Sequence, residues 1–189
     1  MHKFNPLNKS KLDNEWRRAV LPPAKVLESL GLKQNDVVAD VGCGIGYFTI
    51  PAAELAAPNK VYALDISEDM LAEVERRAQI SGVENIVTVQ TQEYDLKLPG
   101  SVVTFALLVN VIHEVDNKEK MLTEVSRILK PEGKLAIVDW EKIDMEAGPP
   151  VDVRIGREDI KQLLISTGFE ILRDQDFRGI FYGISAVKK

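Results

Sequence analysis

The stretch from Val37 to Ile50 reads VVADVGCGIGYFTI, an apolar run carrying Asp40, followed by Gly42, Gly44 and Gly46 at alternate positions. The apolar half reads as a buried strand and the glycines as a turn opening a helix. Glycines so spaced let a ligand touch the backbone and permit φ values that other residues avoid. A dinucleotide turn needs G-x-G-x-x-G, whose third glycine allows close helix–strand packing. Here the spacing is G-x-G-x-G, and Tyr47 holds the sixth position. Asp40 would repel a pyrophosphate, and the lysine of a P-loop is missing, so both phosphate cradles are disfavoured. A ligand carrying an ammonium and a sulfonium would be favoured by the same carboxylate. Asp65, with Ile66 beside it, ends the next apolar run about twenty residues on, where a carboxylate can accept both ribose hydroxyls. That marks a nucleoside without choosing which one.

A second set of candidates lies in VNVIHEV, where Asn110 and His113 follow the apolar run Thr104–Val109. An imidazole titrates near neutrality, so His113 is a candidate general base, against the plainer reading of a hydrogen-bonded structural histidine. Glu114 reads as a helix-start residue. Trp140 follows another apolar run and is a candidate wall of an acceptor pocket, or a plain core residue. Arg17, Arg18 and Arg154 are candidates to grip an acidic acceptor, against a solvated face. Cys43 reads as a small packed residue of the glycine turn rather than a nucleophile.

The elements that must position these groups follow from periodicity. Val37–Val41, Val61–Leu64, Ile86–Val89, Thr104–Val109 and Leu135–Val138 are continuous apolar runs, as expected of strands covered on both faces. Between them, SEDMLAEVERRAQISG offers Ser67 as N-cap, Gly82 as stop, and Met70, Leu71, Val74 and Ala78 on one face. NKEKMLTEVSRILKPEG repeats the pattern and ends at Pro131. The alternation predicts a mostly parallel sheet with right-handed crossovers. Phe169–Phe177 and Ile180–Val187 are separated only by Arg178-Gly179, too short for a crossover, so they predict an antiparallel hairpin and one reversed strand. Residues 1–21 read as an arm or lid carrying Phe4, Leu12 and Trp16, and residues 22–189 as a single domain. Residues 141–156, with Gly148-Pro149-Pro150, read as a lid or substrate loop.

Composition bounds the class. The chain has 189 residues, suited to one domain, and 24 basic against 29 acidic residues give a net charge of −5 that argues against a nucleic-acid partner. One cysteine excludes an intrachain disulfide and a multi-cysteine metal site, and no metal is expected. The most apolar stretch, Phe105–Ile112, is too short to span a bilayer and contains Asn110. No membrane insertion is expected. The expectation is a cytoplasmic protein, monomer or homodimer, acting on a small-molecule substrate.

VVADVGCGIGYFTIPAA, VYALDIS and EVSRILKPEGKLAIVDW resemble successive motifs of the class I S-adenosylmethionine-dependent methyltransferases, in particular the small type 11 group akin to the ubiquinone/menaquinone C-methyltransferases. The resemblance covers roughly Val26 to Lys189. It implies a Rossmann-like α/β fold, with a seven-stranded, mostly parallel sheet, an antiparallel strand seven and helices on both faces. It implies S-adenosyl-L-methionine as cofactor, with the methionine moiety wrapped by Asp40, Gly42, Cys43, Gly44 and Gly46 and the ribose held by Asp65. Relatives place an acidic residue after strand three for the adenine amino group; here QTQEYD offers Gln92 or Glu93. Thr104 stands where relatives carry an aspartate opening strand four.

The expected activity is methyl transfer to a small organic acceptor. Asn110 and His113 lie at the cofactor–acceptor junction, and Trp140 and Arg154 are the substrate candidates. DNA amino-methylating relatives resemble one another in a D/N-P-P-Y/F motif, whereas here Asn110 is followed by Val111-Ile112-His113. Arsenite methyltransferases depend on several cysteines. The alternative is an S-adenosylmethionine-binding protein without catalysis, a sensor or partner subunit.

Overall fold

The computed structural model describes residues 12–189, so Phe4 and the start of the arm lie outside the described residues. Apolar runs buried on both faces become the central strands. β1 (Val38–Val41) is buried throughout, as is nearly all of β4 (Val103–Val109). With β2 (Val61–Asp65), β3 (Ile86–Gln90), β5 (Leu129–Trp140), β6 (Phe169–Phe177) and β7 (Phe181–Lys188) they form one sheet in the order β3-β2-β1-β4-β5-β7-β6. The pairings from β3 through β5 are parallel, and β7 runs antiparallel to both β5 and β6. The single reversed strand is where the short link requires it. Arg178 and Gly179 both take positive φ, and the Ile180 amide closes the turn on the Phe177 carbonyl at 3.2 Å. That is the mirror-image turn whose twist matches a hairpin.

Helices cover both faces. α2 (Pro23–Leu30) and α3 (Thr49–Ala56) bury Val26, Leu27, Leu30, Ala52, Ala53 and Ala56 against one face of the sheet. α4 (Glu68–Ser81) packs beside α3 and sets Leu71 and Val74 on Cys43 and Ala63. α5 (Lys118–Ile128) and α6 (Arg157–Ser166) bury Leu122, Val125, Ile160 and Leu164 in the core on the other face. Each such aliphatic side chain is worth about 1.5–3 kcal/mol of burial, so the scaffold is anchored from both sides. A short helix, α1 (Glu15–Val20), is capped by Asn14, whose side chain accepts from the Arg17 amide.

Local details depart from the sequence reading. Ser67 stands at the N-cap of α4 but makes no side-chain cap bond; its amide donates instead to Asp65 Oδ1. α5 ends at Ile128 rather than at Pro131, because β5 begins at Leu129 and carries Pro131 and Gly133 within it. Thr104 knits its corner of the sheet: its hydroxyl donates to Asp36 at 2.7 Å and accepts from the Val37 amide at 2.9 Å.

Candidate active site

The glycine turn is built by backbone hydrogen bonds at the carboxyl end of β1. The Gly42 and Cys43 amides donate to the Leu64 carbonyl at 2.7 and 3.0 Å, tying the turn to β2. Gly42, Gly44 and Gly46 have φ of +70°, +52° and +81°, a region that side chains rarely enter. At Gly42 a Cβ would also lie 2.5 Å from a methyl of Val111, so no side chain fits there. At Gly44 the nearest atom would be Leu12 Cδ1 at 3.5 Å, which brings the arm down over the turn. Gly46 sits behind the turn, where a Cβ would press on Val74 of α4 at 3.2 Å. Gly46 stands outside the lining of the cleft above the turn, so among the glycines singled out in the sequence it is the one not brought to the cleft with Gly42 and Gly44.

Asp65 is the keystone between turn and helix. Its Oδ2 accepts from the Gly44 amide and its Oδ1 from the Ser67 amide, both at 2.9 Å. A carboxylate has more lone pairs than these amides occupy, so it can still accept from a ligand hydroxyl. Burial raises its pKa, partly offset by the amides of Ser67, Gly44 and Ile66. Asp40 is only 2% exposed and accepts from the Thr49 hydroxyl at 2.6 Å. Burial pushes its carboxyl up to about 7, against the lowering effect of Thr49 and with the charge of Asp65 adding to the rise. The Cys43 thiol is buried and raised well above its usual range, so it packs rather than reacts.

A cleft of about 840 Å³ opens above this turn. Asp40, Gly42, Cys43, Gly44, Asp65, Ile66, Gln92, Glu93, Asn110, His113 and Trp140, all singled out in the sequence, line it together. Asn110 ends β4 with φ +56°, its amide donating to the Val138 carbonyl at 2.8 Å. Its buried Oδ1 has no hydrogen-bond partner. An orphaned buried acceptor of this kind needs a donor, and a ligand in the cleft can supply one.

His113 follows in a short 3-10 turn, Ile112–Glu114, with its side chain 4% exposed. Its Nδ1 lies 2.7 and 3.0 Å from the two carboxylate oxygens of Asp139, which is fully buried near the end of β5. The Trp140 amide donates to the same carboxylate at 2.8 Å, fixing it. Burial lowers the imidazole pKa, but the Asp139 hydrogen bond and charge together outweigh it, and the net shift is upward. With Nδ1 engaged, Nε2 is the remaining nitrogen, 3.8 Å from a carboxylate oxygen of Glu114, which also lines the cleft. Asp139 was missed in the sequence; the signal was a lone acid inside the apolar run LAIVDW.

The acceptor side is walled by aromatic rings. Trp140 packs on Phe181 with ring centroids 4.2 Å apart, and Trp16 of α1 stacks on Trp140 at 6.1 Å and 12°. Gly148 lies over the Trp140 ring, where a Cβ would meet it at 2.8 Å. Arg154, the other substrate candidate, is not brought into the cleft. Its guanidinium donates to the carbonyls of Pro149, Glu141, Ile143 and Ala147 at 2.7–3.2 Å, so it shapes the 141–156 loop and stands outside the cleft lining. Arg18 points away, paired with Asp13.

A mostly parallel seven-stranded sheet with one reversed strand, a glycine turn after β1 and a carboxylate ending β2 define the class I S-adenosylmethionine-dependent methyltransferase fold. Residues 39–137, more than half of the chain, match the family model of the type 11 methyltransferase domain, and the chain belongs to that family. A solved S-adenosylmethionine-dependent methyltransferase from Aquifex aeolicus is 30% identical, with a TM-score of 0.94 covering 99% of this chain and 100% of that one. A demethylmenaquinone methyltransferase of Symbiobacterium thermophilum is 31% identical over 112 residues, covering 58% of this chain and 45% of that protein. That of Geobacillus stearothermophilus is 28% identical over 120 residues, covering 63% and 49%. This chain thus spans about half the length of the curated relatives it matches.

S-adenosylmethionine is the cofactor of this family, and the lining fits it. The glycine cradle admits backbone contact, Asp40 suits a cation, Asp65 has lone pairs for hydroxyls, and Asn110 offers an unsatisfied acceptor. No helix among the described residues is long and apolar enough to cross a membrane.

Proposed function

We propose that this protein methylates a small aromatic acceptor bearing an ionisable hydroxyl, with His113 as general base and Asp139 as its positioning partner. The observation that carries this reading is the 2.7 Å contact between Nδ1 of His113, which lines the cleft, and the buried carboxylate of Asp139 behind it. S-adenosylmethionine supplies an electrophilic methyl group; the chain has to align the acceptor and remove its proton. Nε2 takes the hydroxyl proton, and the Asp139 carboxylate stabilises the imidazolium that results. Proton removal leaves an electron-rich ring or oxygen as the nucleophile. Trp140, Phe181 and Trp16 supply an aromatic, apolar wall for such a ring. The loop around Gly148 and the arm at Leu12 exclude water by covering the two ends of the cleft.

An imidazole held by a carboxylate beside the cleft favours catalysis over a sensor or partner-subunit role. The relatives named for demethylmenaquinone support an aromatic acceptor of the quinol kind. We further propose a cytoplasmic monomer or homodimer without a nucleic-acid partner, the last of these supported by the net charge of −5. The direct test is transfer of label from methyl-tritiated cofactor to a panel of small phenols and hydroquinones. Label should reach an aromatic acceptor with the wild type and be lost with His113→Gln. Transfer confined to acceptors without an ionisable proton would overturn the assignment.

A further inference from the structure

Among the described residues lining the cleft, Arg17 is the only lysine or arginine; Asp40, Asp65, Glu93, Glu114 and Glu146 share that lining. It is 9% exposed, and its buried Nε has no hydrogen-bond partner. Its guanidinium rests on the face of Tyr47, 4.9 Å from the ring centroid. The Tyr47 hydroxyl is already committed, donating to the Leu21 carbonyl at 3.0 Å. The nearby carboxylate of Asp13 is taken by Arg18 at 2.7 and 3.1 Å and by Arg77 at 2.8 Å. Burial pushes the Arg17 pKa down, yet a guanidinium stays charged at any physiological pH. A buried, forked cation facing a cleft is completed by a planar anion, and a carboxylate matches its geometry best.

Two sources could provide that carboxylate: the amino-acid end of the cofactor, or an acid group on the acceptor. Position decides between them. Tyr47 directly follows Gly46 of the turn, and Leu12, on the same arm as Arg17, reaches Gly44. Arg17 therefore stands at the glycine-turn end. We propose that Arg17 binds the carboxylate of the cofactor's amino-acid moiety, making α1 part of the cofactor site. The inference rests on cofactor binding and not on the identity of the acceptor.

Calorimetric titration of the full chain tests it, using S-adenosylhomocysteine and the analogue of it that lacks only the carboxyl group. Wild type should prefer S-adenosylhomocysteine by about 10- to 100-fold, the worth of hydrogen bonds to charged groups. Arg17→Met should lose that preference, binding S-adenosylhomocysteine about as weakly as wild type binds the analogue, and Arg17→Lys should fall between. The apo melting temperature of Arg17→Met should be no lower than wild type, because removing an unpaired buried cation relieves the fold. Arg17→Met binding S-adenosylhomocysteine as tightly as wild type would overturn the proposal and point to the acceptor as the source. Equal losses for both ligands would overturn it in favour of a purely structural arm. If Arg17→Met does not fold, the wild-type preference decides alone, and its absence rejects the proposal. Wild type that shows the preference but transfers no methyl group leaves this assignment standing and rejects the acceptor reading instead.

Discussion

The cofactor end of the cleft is built largely from residues 40–67, one strand–turn–helix–strand segment held by backbone hydrogen bonds, with Arg17 of α1 beside it. The acceptor end draws side chains from Trp16, His113, Trp140 and Phe181 and from the loop at Gly148, with Asp139 behind His113, segments distant in sequence and brought together only by the fold. At the first end, Gly44 and Ser67 amides hold Asp65, and the Leu64 carbonyl holds the turn. At the second, one buried carboxylate holds one imidazole, and indoles stack across the mouth. A backbone-built site recognises something common to a whole family. A site assembled from distant side chains can change its acceptor without disturbing the cofactor.

The largest predicted effect breaks the first end alone. Gly42→Val should abolish S-adenosylhomocysteine binding, by more than about 100-fold, because the position needs positive φ and has a Val111 methyl 2.5 Å from where Cβ would sit. Calorimetry beside a thermal melt would show lost binding in a folded domain. Near-normal affinity would mean that the turn is not the cofactor cradle.

Breaking the second end should leave binding untouched. His113→Gln is expected to lower turnover by about 10²–10⁴-fold, the usual worth of a general base, with cofactor affinity unchanged. Asp139→Asn should lower it less and move the acidic limb of the kcat/KM profile to lower pH. The sign follows from the partner: Asp139 raises the imidazole pKa, and the base works only when neutral. An unmoved acidic limb would remove His113 from the reaction.

A smaller effect sharpens the first end. Asp65→Ala should weaken cofactor binding by about 1–3 kcal/mol through lost charge-assisted hydrogen bonds to ribose. Unchanged affinity in a folded variant would reassign Asp65 to holding the turn only.

The smallest effect is a pH dependence. The Asp40 carboxyl is raised to about 7 in the folded chain, so between the ordinary carboxylate range and 7 the native state holds a proton that the unfolded state has lost. Apo stability should therefore fall as pH rises through that window, and Asp40→Asn should flatten the fall. A cationic cofactor favours the ionised form, so S-adenosylmethionine affinity should rise several-fold as pH passes about 7, and not in Asp40→Asn. Melting curves and titrations at several pH values would check both.

The same division governs what was legible in the sequence. The turn, Asp40 and Asp65 lie within one short stretch whose spacing carries its own geometry, and the reversed β7 followed from a link too short for a crossover. Asp139 and Phe181 were not legible as site residues, because the first reads as an interruption of a strand and the second as core. Only the β4·β5 and β5·β7 pairings bring them to the cleft. Arg154 read as a free cation and is instead consumed by four carbonyls of its own loop, a partnership that charge patterning does not encode. Pro131 read as a helix stop, whereas the chain had already left the helix for β5.

The central claim is that binding and proton removal are separable functions of the two ends. Its most direct test pairs two measurements on His113→Gln: the dissociation constant for S-adenosylmethionine, and single-turnover methyl transfer to an acceptor that the wild type uses. The expected result is an unchanged constant and a transfer rate lower by about 10²–10⁴-fold, recovering in part as pH is raised and the acceptor ionises without help. A variant that transfers at the wild-type rate, or that loses cofactor and transfer together, would contradict it.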